Sequence, residues 1–137
     1  MSATARYTAR YEAGLEKLTQ IDGQAGAAVI AALSDIAPDL GKYIIEFAFG
    51  DIYCREGLSL HERELLTLAS LLSLGGCENQ LKVHIHAALN IGIEAKKIVE
   101  VMLHCIPYVG FPRVLNAVFT AKQIFLEQDI AVVALSN

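Results

Sequence analysis

Apolar residues recur every three or four positions along almost the whole sequence, and no segment alternates with the two-residue period of a half-buried strand. Glycine and proline interrupt this pattern at intervals, as they do at helix ends. We predict helices over about residues 7–19, 24–33, 38–53, 59–74, 77–91, 94–106 and 113–128. A chain of 137 residues is long enough for one domain with its own core. The sequence therefore predicts a single-domain, all-α helical bundle over residues 1–137.

Several of these helix ends carry specific signals. Ser59 and Glu62 have the S-x-x-E spacing of a capping box, and the Gly75-Gly76 pair closes the helix that this box opens. Gly92 is suited to a left-handed cap after the next helix. Pro107 is expected to end the helix before it, because a proline inside a helix removes one hydrogen bond and clashes with the preceding turn.

The composition predicts a homo-oligomer. Apolar residues make up 54% of the chain and charged residues only 19%, whereas a typical soluble domain has about 25% charged residues. One small domain cannot hide so much apolar surface, so part of it is expected between subunits.

The net charge of −4 without a basic run argues against a nucleic-acid partner. No apolar stretch reaches the roughly 18 residues of a membrane span, and the first residues lack a signal peptide, so we expect a cytoplasmic protein with no membrane partner.

Three cysteines, Cys54, Cys77 and Cys105, are far apart in sequence and form no C-x-x-C pair. This pattern predicts reduced thiols rather than a disulfide framework. Cys54 and Cys105 are interpreted as packing residues. Cys77 is expected at a helix N-terminus, where the helix dipole favours an anion, and we predict a mildly reactive thiol there.

Two polar residues fall on apolar helix faces. On a helical wheel, Glu64 projects between Leu68 and Leu71, whereas His84 lies in the apolar half of its own helix and His86 in the polar half. A carboxylate on an apolar face needs a partner, because an isolated buried charge is costly. Glu64 and His84 are on consecutive helices joined by the glycine pair. We therefore predict that they share a sheltered pocket suited to proton transfer.

A purely structural interpretation of the same residues stays open. A core histidine often donates to a backbone carbonyl, and Glu64 could pair with an arginine of a neighbouring subunit. The sequence His84-x-His86 does not predict a metal site, because the two rings point to nearly opposite sides of a helix. Cys77 and Gln80 lie on the same stripe as His84, at the spacing i, i+3, i+7.

Several fragments, taken in order, resemble the carboxymuconolactone decarboxylase family of the alkyl hydroperoxidase D-like superfamily. These fragments are Phe49-Gly50-Asp51 with Arg55-Glu56-Gly57, Arg63-Glu64-Leu65, Leu81-Lys82-Val83-His84, Ala87-Ala88-Leu89-Asn90-Ile91-Gly92, and Tyr108-Val109-Gly110-Phe111-Pro112. The resemblance implies a bundle of the alkyl hydroperoxidase D-like type, with an N-terminal helical extension over residues 1–35 and a core over 36–128. It also implies assembly into trimers or hexamers.

The resemblance implies a decarboxylase that acts on a carboxylated lactone such as 4-carboxymuconolactone, in aromatic-compound breakdown, without a cofactor. His84 would donate the proton, and Glu64 would orient His84. Arg63 or Arg55 would bind a substrate carboxylate, because arginine binds carboxylates through two parallel hydrogen bonds. Gln80 and Tyr108 would complete the substrate contacts, Tyr108 through a hydrogen bond to the lactone.

Other members of the superfamily carry a redox motif, C-x-x-C-x-x-x-H. The corresponding window here runs from Cys77 to His84, and Gln80 stands in place of the second cysteine. A dithiol–disulfide cycle therefore cannot run through this motif. Two alternatives to the decarboxylase stay open: a thiol-dependent peroxidase that uses Cys77 alone, and a non-catalytic oligomeric binding protein.

Overall fold

A computed structural model describes residues 3–132, with side chains from residue 9 onward. Every regular element in this range is helical: α1 (Ala3–Leu33), α2 (Pro38–Tyr43), a π-helix, π1 (Ile44–Ile52), α3 (Leu60–Leu74), α4 (Glu78–Asn90), α5 (Ala95–Val109) and α6 (Phe111–Glu127). The all-α prediction is confirmed. The described chain divides into two compact units between Leu60 and His61. The single domain, with its extension and core, stays a prediction.

Glycine and proline place most helix ends where the sequence predicts them. Gly23, with φ 53° and ψ −127°, interrupts α1 in the predicted gap between the first two helices. α2 begins at Pro38, and Gly92 follows α4 with φ 94°. The prediction that Pro107 ends its helix is wrong, because α5 continues through it to Val109 and stops at Gly110. A proline keeps a helical φ, and in the last turn it forfeits a single backbone hydrogen bond.

The predicted helix over 38–53 is continuous, but it changes type at Ile44. From there to Ile52 the backbone is a π-helix, and the N–H of Tyr53 donates to the carbonyl of Ala48, five residues earlier, at 2.9 Å. The apolar positions Ile45 and Phe49 are buried, and their spacing of four residues suits an α-helix and a π-helix alike. Apolar spacing therefore could not distinguish the two.

The N-terminal unit depends on a close approach between the backbones of α1 and π1. A Cβ atom built on Gly14 would stand 1.9 Å from the carbonyl oxygen of Ile45, and one on Gly50 would stand 2.7 Å from that of Arg10. Only glycine permits this distance at both positions. The contact buries Leu18, Ile21, Ile45 and Phe49.

An ion pair joins the same two helices. Arg10 donates from Nε to Asp51 Oδ1 at 3.0 Å and from Nη2 to Asp51 Oδ2 at 2.6 Å. The hydrogen bond from Arg10 holds the pKa of the Asp51 carboxyl below its usual range. Arg10 Nη1 also lies 4.0 Å from Oε2 of Glu46, a buried carboxylate on π1. A single arginine thus lies beside two carboxyl groups of the π-helix.

The C-terminal unit has the larger apolar core. Helices α3 to α6 and the connection between α4 and α5 contribute buried side chains to one cluster: Leu68, Leu72, Leu81, Ile85, Ala88, Ile93, Ala95, Ile98, Met102, Cys105, Val114, Ala117, Ala121, Ile124 and Phe125. The opposite face of α6 is also apolar but exposed. No helix within residues 3–132 combines the length and the hydropathy of a membrane span.

We expect Gly14→Ala to destabilise the protein, although alanine is the better helix former by roughly 1 kcal/mol. The added methyl group would collide with a backbone carbonyl, which cannot rotate away as a side chain can. Overpacking of this kind costs about 1–3 kcal/mol. Urea unfolding at fixed protein concentration measures the difference. Gly57→Ala is the control, since a Cβ there meets no atom within 4 Å. A Gly14→Ala protein as stable as the parent would contradict the packing described.

Candidate functional site

Glu64 and His84 meet inside the C-terminal unit. The Nδ1 atom of His84 lies 3.1 Å from Oε2 of Glu64. The Glu64 side chain is fully buried, whereas 20% of the His84 side chain is exposed. The two side chains are in contact, as a shared pocket requires, and the pocket itself and the catalytic roles stay predictions. His84 is therefore the member of the pair that solvent reaches.

Helical spacing explains why the sequence brings them together. α3 buries every fourth residue, Glu64, Leu68 and Leu72, so that the carboxylate lies on the stripe that faces the core. α4 buries Leu81 and Ile85 on the side that carries His84. Only the short turn Gly75–Cys77 separates the two helices, and so a buried carboxylate of the first can reach a ring on the second.

The hydrogen bond determines which imidazole nitrogen is available for chemistry. Nδ1 of His84 is the ring nitrogen that faces the Glu64 carboxylate, so Nε2 is the nitrogen left for another partner. Nε2 can carry a proton or a lone pair, and the ring can therefore act as an acid or a base. A carboxylate behind a histidine fixes the ring orientation and stabilises the imidazolium.

The other oxygen of Glu64, Oε1, is buried and has no hydrogen-bond partner among the described residues. A buried carboxylate with one unsatisfied oxygen costs free energy that an apolar residue of similar size would not. Stability alone therefore does not explain Glu64. Such exceptions to polar satisfaction are frequently associated with functional sites.

Three further candidates make no hydrogen bond to this pair within the described part of the chain. Cys77 precedes α4 as its N-cap residue, and its Sγ donates to the carbonyl of Gly75 at 3.6 Å. Gln80 is exposed one turn before His84. Tyr108 is 76% exposed in the last turn of α5. The centroid of its ring lies 5.6 Å from that of His104.

The two arginine candidates belong to different units. Arg63 is half-buried on α3, directly before Glu64. Arg55 is exposed in the segment between π1 and α3, in the N-terminal unit. Of the two candidates, Arg63 is therefore the one that is adjacent to Glu64 in sequence and belongs to the same unit as the pair.

His86 has a different environment from His84. Its Nδ1 accepts a hydrogen bond from Nε2 of Gln128 at 2.8 Å, in an exposed contact. The two rings of His84-x-His86 thus have separate partners. No group of three or more histidine, cysteine, aspartate or glutamate side chains within residues 9–132 is arranged to hold a metal ion.

The sequence did not predict two polar contacts that lie beside the site. His61 Nε2 lies 2.8 Å from the carbonyl oxygen of Ile91, which joins the start of α3 to the end of α4. Arg113 Nη1 donates to the carbonyl of Ser73 at 2.7 Å, near the end of α3. Neither contact follows from periodicity, because each joins segments 30 or 40 residues apart. The one signal for Arg113 is its position, since a cation in the first turn of a helix opposes the helix dipole.

The sequence model of the carboxymuconolactone decarboxylase family matches residues 38–123, which include Glu64 and His84. The 4-carboxymuconolactone decarboxylase of Acinetobacter baylyi is 36% identical over 123 residues, which cover 89% of this chain and 91% of that protein. An uncharacterised 15.0 kDa protein of Paracoccus denitrificans is 28% identical over 99 residues, 72% of this chain and 74% of that protein. Nitrosuccinic acid decarboxylase of Metarhizium robertsii is 31% identical over 82 residues, 60% of this chain and 57% of that protein. Two relatives are named decarboxylases, which supports a decarboxylase.

The thiols are expected to react in the order of their exposure. Cys54 is exposed, contrary to the packing role predicted for it, whereas Cys105 is buried as predicted. Burial raises the pKa of the Cys105 thiol, so less thiolate forms at a given pH. A colorimetric disulfide reagent at mildly alkaline pH should label Cys54 first and Cys105 only after unfolding. Cys54→Ser should remove the fast phase. Rapid labelling of Cys105 in the folded protein would contradict its burial.

Proposed function

This chain belongs to the carboxymuconolactone decarboxylase family, and we propose that it is a carboxy-lyase that acts without a cofactor on a carboxylated lactone such as 4-carboxymuconolactone. The observation that carries the proposal is the hydrogen bond between the buried Glu64 carboxylate and the half-buried His84 ring. This pair offers one proton at Nε2, and protonation of a carbon atom is the step that such a decarboxylation requires.

The reaction replaces a carboxylate by a hydrogen atom. The bond between the ring carbon and the carboxylate carbon breaks, its electron pair moves into the conjugated lactone carbonyl, and CO2 leaves. The resulting dienolate then takes the proton from Nε2–H of His84. The negative charge of Glu64 stabilises the imidazolium before this transfer, and solvent returns a proton to Nε2 afterwards. Atoms and charge balance without an oxidant or a reductant.

The substrate class follows from the electron sink. 4-Carboxymuconolactone is a dicarboxylate with a conjugated carbonyl, and nitrosuccinic acid, the compound in the name of one relative, is a dicarboxylic acid with a nitro group. Each molecule holds a carboxylate that can leave as CO2 while a neighbouring group accepts the electrons. We infer a dianionic substrate of this kind, with Arg63 bound to the carboxylate that stays. Gln80 and Tyr108 are proposed as further contacts.

An assay with three substrates tests this function. The protein is incubated with 4-carboxymuconolactone, with nitrosuccinate, and with hydrogen peroxide plus dithiothreitol, and CO2 release or peroxide loss is followed. We expect CO2 release. Peroxide turnover that is lost in Cys77→Ser would support the peroxidase alternative instead, and the absence of all three activities would support a binding protein.

We also propose that the protein works as a homo-oligomer through the exposed face of α6. Four large apolar side chains lie there on one stripe: Phe111 (67% exposed), Leu115 (49%), Phe119 (61%) and Leu126 (70%). Together they offer roughly 500 Å² on one protomer, by the usual areas of such side chains. Two copies that pack these faces together bury about 1,000 Å², the lower limit for a specific interface.

His84→Gln should lower kcat by about 10²- to 10⁴-fold, the contribution of a positioned acid. Glutamine keeps an N–H donor for Glu64 but offers no titratable nitrogen. Glu64→Gln should also lower kcat, because it removes the charge behind the imidazole. Steady-state CO2 release measures both.

His86→Ala is the matched control on the same helix. It removes an exposed hydrogen bond with Gln128, and it should leave kcat unchanged. If the His84 and Glu64 variants fold and retain the parent rate, these residues are structural and the site is wrong.

Phe119→Glu should dissociate the oligomer, because it puts a charge at the centre of the apolar stripe. Native mass spectrometry should find multiples of 14.8 kDa for the parent chain and the single mass for the variant. Asn116→Glu adds the same charge to an exposed position of α6 off the stripe, and it should leave the assembly intact. A parent chain that is a monomer at micromolar concentration would refute the interface.

A further inference from the structure

The turn between α3 and α4 determines how the two helices that carry Glu64 and His84 are oriented. Its first two residues, Gly75 and Gly76, have φ values of 71° and 72°. Residues other than glycine rarely adopt this left-handed backbone conformation. Two residues in this conformation in succession reverse the chain direction sharply. A change in this turn would move α4 relative to α3. The distance between Nδ1 of His84 and Oε2 of Glu64 would change with it.

One side chain from a distant part of the C-terminal unit lies on this turn. Arg113, in the first turn of α6, donates from Nη1 to the carbonyl of Ser73 at 2.7 Å. Its Nε lies 3.0 Å from the position that a Cβ on Gly75 would occupy. The Ser73 carbonyl is among the last four of α3, which have no partner inside the helix. The guanidinium therefore caps α3 and packs against the turn at once.

The charge of Arg113 suits α3 and not its own helix. A cation near the N-terminus of α6 opposes the dipole of that helix, whereas a cation at the C-terminus of α3 is favourable. Solvation alone gives no reason for an arginine in the first turn of α6. Its contact with Ser73 and Gly75 does give a reason.

We propose that Arg113 is a positioning residue for the Glu64–His84 pair. Its guanidinium fixes the end of α3 and the turn after it, and thereby the hydrogen bond between the two side chains. It acts through the turn and touches no reacting atom. The kinetic part of this inference rests on the proposed function, whereas the geometric part concerns the hydrogen bond alone.

The test compares Arg113→Met, Arg113→Lys and Lys96→Met. Lys96 is an exposed cation in the first turn of α5 and is the matched control. The first readout is the ¹⁵N-edited NMR resonance of the His84 Nδ1–H group, which reports the bond to Glu64 whether or not the protein is a decarboxylase. The second is the separation of kcat from KM.

We expect Arg113→Met to shift or broaden the His84 Nδ1–H resonance and to lower kcat about tenfold, since small misplacements of a catalytic group cost rate. KM should change little. Arg113→Lys retains a hydrogen-bond donor and should restore part of the parent His84 resonance and part of the parent kcat. Lys96→Met should alter neither the resonance nor kcat. If Arg113→Met does not fold, Arg113→Gln replaces it, because glutamine is too short to reach Ser73 and carries no charge. A folded Arg113→Met protein with an unchanged His84 resonance overturns the positioning role of Arg113. If the resonance shifts but the parent protein has no decarboxylase activity, only the proposed function is overturned.

Discussion

The hydrogen bond between a buried carboxylate and a half-buried imidazole is the interaction on which the C-terminal unit is arranged. Glu64 has no exposure to solvent, and His84 is its one hydrogen-bond partner in the described chain. Removing one partner of such a pair leaves a buried polar group without its hydrogen bond, which typically costs about 1–3 kcal/mol. The position of α4 against α3 must therefore keep the ring within hydrogen-bond distance of the carboxylate, and the same requirement leaves Nε2 of the ring free to exchange a proton.

Helices α3 and α4 form a hairpin, and three polar contacts lie along its length. Each contact joins different chemical groups. His61 meets the carbonyl of Ile91 at the open end, Glu64 meets His84 in the middle, and Arg113 meets the carbonyl of Ser73 beside the turn. Leu68 and Ile85 belong to one apolar cluster, but apolar packing is not directional. The polar contacts supply the direction, so a site that needs hydrogen-bond geometry can be built on two short helices.

Features that depend on residues close together in sequence could be predicted, whereas contacts between distant segments could not. The all-α class and most helix ends follow from period and from the conformational limits of Gly23, Pro38 and Gly92. The Glu64–His84 contact also follows, because both residues interrupt apolar stripes on consecutive helices. The contacts of His61 and Arg113 do not follow, since they join distant segments. Pro107 misled the prediction because a helix tolerates a proline in its last turn, and the π-helix after Tyr43 left no trace in the apolar spacing.

The tautomer of His84 shows most directly whether Glu64 prepares the ring for proton transfer. In protein labelled with ¹⁵N at histidine, the two ring nitrogens of His84 have distinct chemical shifts that report which of them carries a proton. A series of spectra across the pH range of the folded protein should show Nδ1 protonated throughout and every change of protonation at Nε2. In Glu64→Gln this preference should weaken. A proton that resides on Nε2 while Nδ1 is bare, or a parent and a variant with the same tautomer mixture, would contradict the claim that Glu64 prepares His84 for proton transfer.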